Sequence, residues 1–230
     1  MKKDYELVIF DLDGTLLDTS RGILAAISQA LQTLQIPNEG KICAQDFIGP
    51  PIEKALNKHL HLDGEVLARA SKAFRLHYAQ EHLLKATPYE GIEELLSTLR
   101  REGYGRAVAT YKREAVAERL LWHCGLEKHL NIIHGTNDAQ VLSKTDLILR
   151  CIEDYGLTDR KRVVMIGDTE EDALGAAQAG VDFIAVTYGF GFTKEDALRQ
   201  FPCIGIANST QDVLCFIKGE ATPPQTNSSI

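Results

Sequence analysis

Apolar and polar positions follow two periods along this chain, and the change of period divides it. Residues 5 to 10, Tyr-Glu-Leu-Val-Ile-Phe, form a short run rich in strand formers that ends at Asp11. This is the pattern of a buried strand that delivers Asp11 to its carboxyl end. From about Thr19 to Ile36 apolar residues recur at helical spacing (Ile23, Ile27, Leu31, Leu34), until Pro37 and Asn38 break the pattern. Further helices are predicted over about 51–60 and 65–83, so 17–86 reads as all helix with no strand candidate.

After Thr87 and Pro88 the pattern becomes an alternation: helix 91–102, strand 106–110, helix 113–123, strand 131–134, helix 145–155. Strand 162–166, helix 171–179, strand 182–187 and a last helix from about 210 follow. Alternating strands and helices predict an α/β fold, a parallel sheet covered on both faces. The expected organisation is a core from 1–16 and 87–218, an all-helical insertion over 17–86, and a tail over 219–230. That tail, rich in Thr, Pro, Asn and Ser, is expected to be disordered.

With 230 residues the chain can bury a substantial core, and 44% hydrophobic with 25% charged residues is the balance of a folded globular protein. The net charge of −7 gives no electrostatic footprint for nucleic acid or an anionic membrane. The first residues lead straight into the first strand, with the pattern of neither a signal peptide nor a membrane span, so a cytoplasmic location is expected. The five cysteines, Cys43, Cys124, Cys151, Cys203 and Cys215, are scattered without a Cys-x-x-Cys pair and read as reduced packing residues. His59 with His61, and His77 with His82, lack a zinc-binding spacing and read as ordinary helix or surface histidines.

Ligands of parallel α/β sheets bind at the carboxyl ends of strands, so the polar residues there are the candidate chemistry. In chain order they are Asp11-Leu12-Asp13-Gly14-Thr15, then Thr110, then Lys144 in the loop after the third strand, then Gly167-Asp168 with Asp172 beyond. Two carboxylates at i and i+2 of a loop can face one pocket, Asp11 as nucleophile and Asp13 as general acid and base. Gly14 permits a tight turn and close approach to an anion, and Thr15 steadies it. A phosphate dianion arriving at a carboxylate needs cations. Asp11 and Asp168 suit magnesium, with Asp172 one helical turn on as an outer partner. Lys144 would neutralise phosphoryl oxygens and Thr110 would donate a hydrogen bond to the transferring group. Taken singly, each motif also reads as a turn, a cap or an acidic helix start. Independent turns and caps need not recur in this order at successive strand ends.

These residues resemble the haloacid dehalogenase superfamily over nearly the whole chain. The resemblance implies a Rossmann-like core and hydrolysis of phosphate esters. The helical insertion is similar to the cap of the phosphoglycolate phosphatase-like branch, which closes over substrate. By position the resemblance implies Asp11 as nucleophile and metal ligand, Asp13 as acid and base with its main-chain carbonyl on the metal, and Asp168 as metal ligand. Thr110 and Lys144 match the second and third motifs. The chain departs from the pattern at Tyr111, where the family commonly has Asn before a lysine, here Lys112, and at Ser143-Lys144-Thr145-Asp146, which lacks a proline after the lysine. Lys112 is therefore a second candidate cation. Phe47-Ile48-Gly49-Pro50-Pro51-Ile52-Glu53 resembles the cap segment that approaches the active site, and equally reads as a Gly-Pro helix break.

Asp13 argues against dehalogenase and phosphonatase chemistry, which has no alkoxide to protonate. A magnesium-dependent phosphatase acting on a small phosphorylated metabolite is the expected function, with phosphoglycolate, a nucleoside monophosphate or a sugar phosphate as candidate substrates. A sugar phosphomutase is the enzymatic alternative, and a catalytically silent binding module is the alternative of another class. Tyr111, Arg21 and the Gly49–Glu53 segment are candidate substrate contacts, and either a monomer or a homodimer is compatible with the sequence.

Overall fold

In the computed structural model, which describes residues 4–37, 42–137, 142–192 and 200–220, the first apolar run becomes β1 (Leu7–Phe10), buried at every position. β2 (Leu17–Asp18) follows, then α1 (Ser20–Thr33), α2 (Ala44–Phe47), α3 (Ile52–Leu60) and α4 (Gly64–His77). The chain continues from α4 into a π-helical turn over Tyr78–His82. β3 (Thr87–Pro88) pairs antiparallel with β2, so these helices leave and return through one two-stranded stem. Beyond it come α5 (Ile92–Arg101), β4 (Gly105–Arg113), α6 (Glu114–His123), β5 (Ile132–Thr136) and α7 (Lys144–Tyr155). β6 (Val163–Gly167), α8 (Glu170–Ala179), β7 (Asp182–Val186), β8 (Gly205–Ala207) and α9 (Thr210–Lys218) complete the described fold.

The main sheet is parallel throughout, in the order β5-β4-β1-β6-β7-β8. From β1 the chain builds outward through β4 and β5, then crosses back to lay β6 on the other side. The β1/β6 boundary is thus the topological switch point, where α/β sheets open a crevice at the strand carboxyl ends. Alternation along β1 explains the two layers. Leu7 and Ile9 point to a cluster with Leu147, Ile148 and Cys151 of α7 and Ala173 and Ala176 of α8. Val8 and Phe10 point to the opposite cluster, with Leu95 and Leu99 of α5, Leu120 of α6 and Val213 of α9. That second cluster runs on without interruption into α1, whose buried stripe Ile23, Ala26, Ile27, Ala30 and Leu31 has helical spacing.

Several expectations change. The stem strands β2 and β3 and the three-residue β8 are too short to show a period, and α2 is a single turn. α1 ends at Thr33 rather than Ile36, where Gln35 takes φ 55°. The helix expected over 65–83 gives way to the π-helical turn after His77. β4 does not stop at Thr110 but runs to Arg113, with a register shift between Ala109 and Arg113 that re-aims the intervening side chains. Lys144 begins α7 rather than lying in the loop before it. Cys43, read as a packing residue, is exposed. Gly219, at φ 66°, and Glu220, whose N–H reaches the Cys215 carbonyl at 2.9 Å, close α9. The rest of the expected tail, 221–230, and Asn38 lie outside the described residues. No helix among the described residues is long and apolar enough to cross a membrane.

Candidate active site

The loop leaving β1 is folded tightly against β6. The Asp11 N–H donates to the Ile166 carbonyl at 2.9 Å, and the Leu16 and Leu17 amides return to the Leu12 carbonyl at 3.0 and 2.9 Å. Gly14 sits at φ +87°, where a side chain would be strained, and a Cβ there would run into the Asp168 carboxylate. The first motif therefore approaches the end of β6 more closely than any other residue at position 14 would allow.

Asp11, Asp168 and Asp172 converge at the switch point, all buried, with one carboxylate oxygen from each lying within 4.8 Å of the others. Lys144 is buried among them, its Nζ 2.8 Å from Asp11 Oδ1, 2.7 Å from Asp172 Oδ1 and 3.1 Å from the Ala109 carbonyl. Desolvation pushes the Asp11 carboxyl up to about 7, opposed by the charge of Lys144 and reinforced by Asp172. Asp168 is raised well above the usual carboxylate range, first by burial and then by Asp172 and Asp11. Burial alone would lower the Lys144 ammonium, but the charges of Asp11 and Asp172 outweigh it and raise it. Three buried carboxylates converge here, and the one ammonium among them contacts only Asp11 and Asp172, so full ionisation of the trio would leave an excess of negative charge. That excess, in an all-oxygen donor set, fits a magnesium ion.

Asp172 is held by a capping box. Its Oδ2 accepts from the Thr169 N–H at 3.0 Å and the Thr169 hydroxyl at 2.6 Å, which fixes the first turn of α8. Asp13 stands apart from the trio. Its Oδ1 accepts from the Thr19 hydroxyl at 2.7 Å and its Oδ2 pairs with Lys112 Nζ at 2.9 Å. Lys112 Nζ also donates to the Tyr78 hydroxyl at 3.2 Å, so a lysine of β4 joins Asp13 to the π-helical turn. Both candidate lysines thus stand in the site, one beside each carboxylate of the first motif. Thr110 is buried and accepts the Lys112 N–H at 3.2 Å, which leaves its own hydroxyl hydrogen to donate. Tyr111 caps α7 with its hydroxyl, which accepts the Lys144 N–H at 3.1 Å, and its ring centroid lies 5.1 Å from Lys144 Nζ.

A cavity of about 390 Å³ opens beside these groups. Asp11, Asp13, Thr110, Tyr111 and Lys112 line its floor, and residues of α1, α2, α3 and α4 line the opposite wall. The whole Gly49–Glu53 segment is part of that wall, whereas Arg21 is exposed and is not among the lining residues.

The sequence reading missed the turn after β7. The Phe190 and Gly191 amides donate to Asp168 Oδ2 at 2.7 and 3.1 Å, and the Tyr188 hydroxyl donates to the Thr15 carbonyl at 3.3 Å. A Cβ on Gly189 would collide with the Gly14 carbonyl and Asp168. The available signal was Tyr188-Gly189-Phe190-Gly191, two glycines at the end of the fifth predicted strand, a common preparation for close backbone approach to a site.

The fold and site define a doubly wound α/β protein with a lysine-braced acidic crevice at its switch point. The chain belongs to the haloacid dehalogenase-like hydrolase family, whose model matches residues 8–186. It is 37% identical over 187 residues to the tyrosine-protein kinase PtkA of Mycobacterium tuberculosis, a match that takes in 81% of this chain and 63% of PtkA. The chain thus spans under two thirds of that curated relative. The solved PtkA structure superposes with a TM-score of 0.79 at 35% identity, covering 94% of this chain and 99% of that one. A 5'-nucleotidase of Pseudomonas aeruginosa is 34% identical over 85% of this chain and 87% of its own. A phosphoglycolate phosphatase of Mesorhizobium japonicum is 30% identical over 80% and 83%.

Proposed function

We propose that the chain hydrolyses a small phosphomonoester through an aspartyl-phosphate formed on Asp11. The observation that carries this reading is the separation of two carboxylates two residues apart. Asp11 lies against Lys144 within the acidic trio, while Asp13 stands outside it against Lys112, with both on the floor of one cavity. An Asp11 oxygen attacks phosphorus, the bond to the ester oxygen breaks, and Asp13 gives its proton to the departing alkoxide. Asp13 then takes a proton from water, which attacks the acyl phosphate, releases inorganic phosphate and restores Asp11. Lys144 holds Asp11 in place, and Thr110 donates to a phosphoryl oxygen.

Asp11, Asp168 and Asp172, with the Asp13 carbonyl, would hold a magnesium ion, which when bound offsets phosphoryl charge. The helices between β2 and β3 act as a cap over the cavity. The names of the 5'-nucleotidase and of the phosphoglycolate phosphatase support phosphomonoester chemistry.

The test is phosphate release from a panel of phosphoglycolate, nucleoside monophosphates and hexose phosphates, with and without magnesium, with Asp11→Asn as control. Magnesium-dependent release that disappears in the variant is expected. Interconversion of sugar phosphates without release would point instead to a mutase.

A further inference from the structure

We propose that the organic part of the substrate carries a flat aromatic ring, seated against Phe74 in the wall opposite Asp11 and Asp13. This rests on the phosphomonoester reading above and names its substrate class. Phe74 and Tyr78 stand one helical turn apart where α4 passes into the π-helical turn, and their rings stack with centroids 5.6 Å apart at 12°. Both line the cavity, with Ile23, Phe47 and Ile52 around them. Tyr78 is buried and Lys112 Nζ lies 4.8 Å from its ring centroid. Phe74 is only partly buried, which leaves it the accessible member of the stack.

The charges of the cavity wall point the same way. Arg75 pairs with Glu53, Lys112 pairs with Asp13, and Arg113 is engaged within the protein as well. A substrate with a second carboxylate, such as phosphoglycolate, would have to draw Lys112 from Asp13 and leave that shielded carboxylate uncompensated, or compete with Glu53 for the half-exposed Arg75. An aromatic ring makes no such demand. It covers apolar wall, and the Glu53–Arg75 pair offers an acceptor and donors to ring substituents. The volume of about 390 Å³ lies within the range that encloses a ring-bearing ligand.

The experiment compares kcat/KM of the magnesium-loaded protein on adenosine monophosphate, phenyl phosphate, phosphoglycolate and glycerol phosphate, for the natural chain and for Phe74→Leu, which keeps apolar volume and loses the ring. The expected result is an aromatic-to-aliphatic ratio of about tenfold or more, reduced roughly fivefold by Phe74→Leu mainly through KM. Preference for adenosine monophosphate places the ring beyond a sugar, and preference for phenyl phosphate places it directly on the phosphate. Equal or better use of phosphoglycolate, or a Phe74→Leu effect identical on both kinds of ester, overturns the proposal. Should no ester release phosphate, the hydrolase reading falls and calorimetry decides the ring separately. Tighter binding of adenosine monophosphate or phenyl phosphate than of phosphoglycolate sustains the proposal, and the reverse order overturns it.

Discussion

The two walls of the cavity are built from different materials. The floor, at the ends of β1 and β4, presents Asp11, Asp13, Thr110, Tyr111 and Lys112, with Lys144 of α7 buried behind Asp11. Each is tied to main chain or to another charge at hydrogen-bonding distance. The opposite wall presents Phe47, Ile52, Phe74 and Tyr78 with one internally paired Glu53 and Arg75. Charge that must act on a reacting group needs fixed geometry, and strand ends of a buried sheet supply it. Selection among organic groups needs shape and apolar area, and helix faces supply those. On the proposed function, the reaction and the choice of substrate therefore fall to opposite walls of one cavity.

Substitutions on the floor test that division, and the largest effect is expected at Asp11. Asp11→Asn should lower magnesium-dependent phosphate release by roughly 10⁶-fold, as loss of a nucleophile does, with the circular dichroism spectrum unchanged. Asp13→Asn should cost about 10²- to 10⁴-fold on an alkyl phosphate, and markedly less on para-nitrophenyl phosphate, whose leaving group needs no proton. An equal loss on both esters would remove Asp13 from the acid role.

Lys144→Met should act on stability first. It strands Asp11 and Asp172 without their ammonium partner, and breaking such a buried pair costs about 3–5 kcal/mol, to be read from urea unfolding without magnesium. Added magnesium should recover part of the loss.

The smallest effect concerns pH. With its carboxyl pushed up to about 7 from the ordinary 3.8, Asp11 keeps a proton in the folded protein that the unfolded chain has already lost. The unfolded state then binds fewer protons between those values, so metal-free stability at this group falls as pH rises from about 4 to about 7. The rise in Tm on adding magnesium should accordingly be greater at pH 8 than at pH 5. A rise independent of pH would separate metal binding from Asp11.

The same division explains what could be read in advance. Asp11, Thr110, Lys144 and Asp168 follow or sit near predicted strand ends, and an α/β sheet assigns meaning to that position. Fold class and floor residues were therefore legible. The extension of β4 to Arg113 was not, because a register shift leaves no periodic trace, and with it went the placing of Lys112 against Asp13. Tyr111 was legible as a departure from a pattern but not as a cap on α7, since its hydroxyl reaches an amide 33 residues away. On the opposite wall the Phe47–Glu53 segment was legible through its resemblance to a cap segment, whereas Phe74 and Tyr78 occupy apolar helix positions that look alike in sequence whether they face a core or a cavity. The turn at Gly189–Gly191 escaped because its function lies in main-chain amides, which every residue but proline carries.

The most direct test of the account is acid quenching of the magnesium-loaded protein during turnover of para-nitrophenyl phosphate, followed by mass spectrometry of the peptide containing Asp11. The account predicts one phosphoryl group, bound to Asp11 and absent from Asp11→Asn. A phosphoryl group on any other residue, or full turnover with an unmodified Asp11 at every quench time, would contradict it.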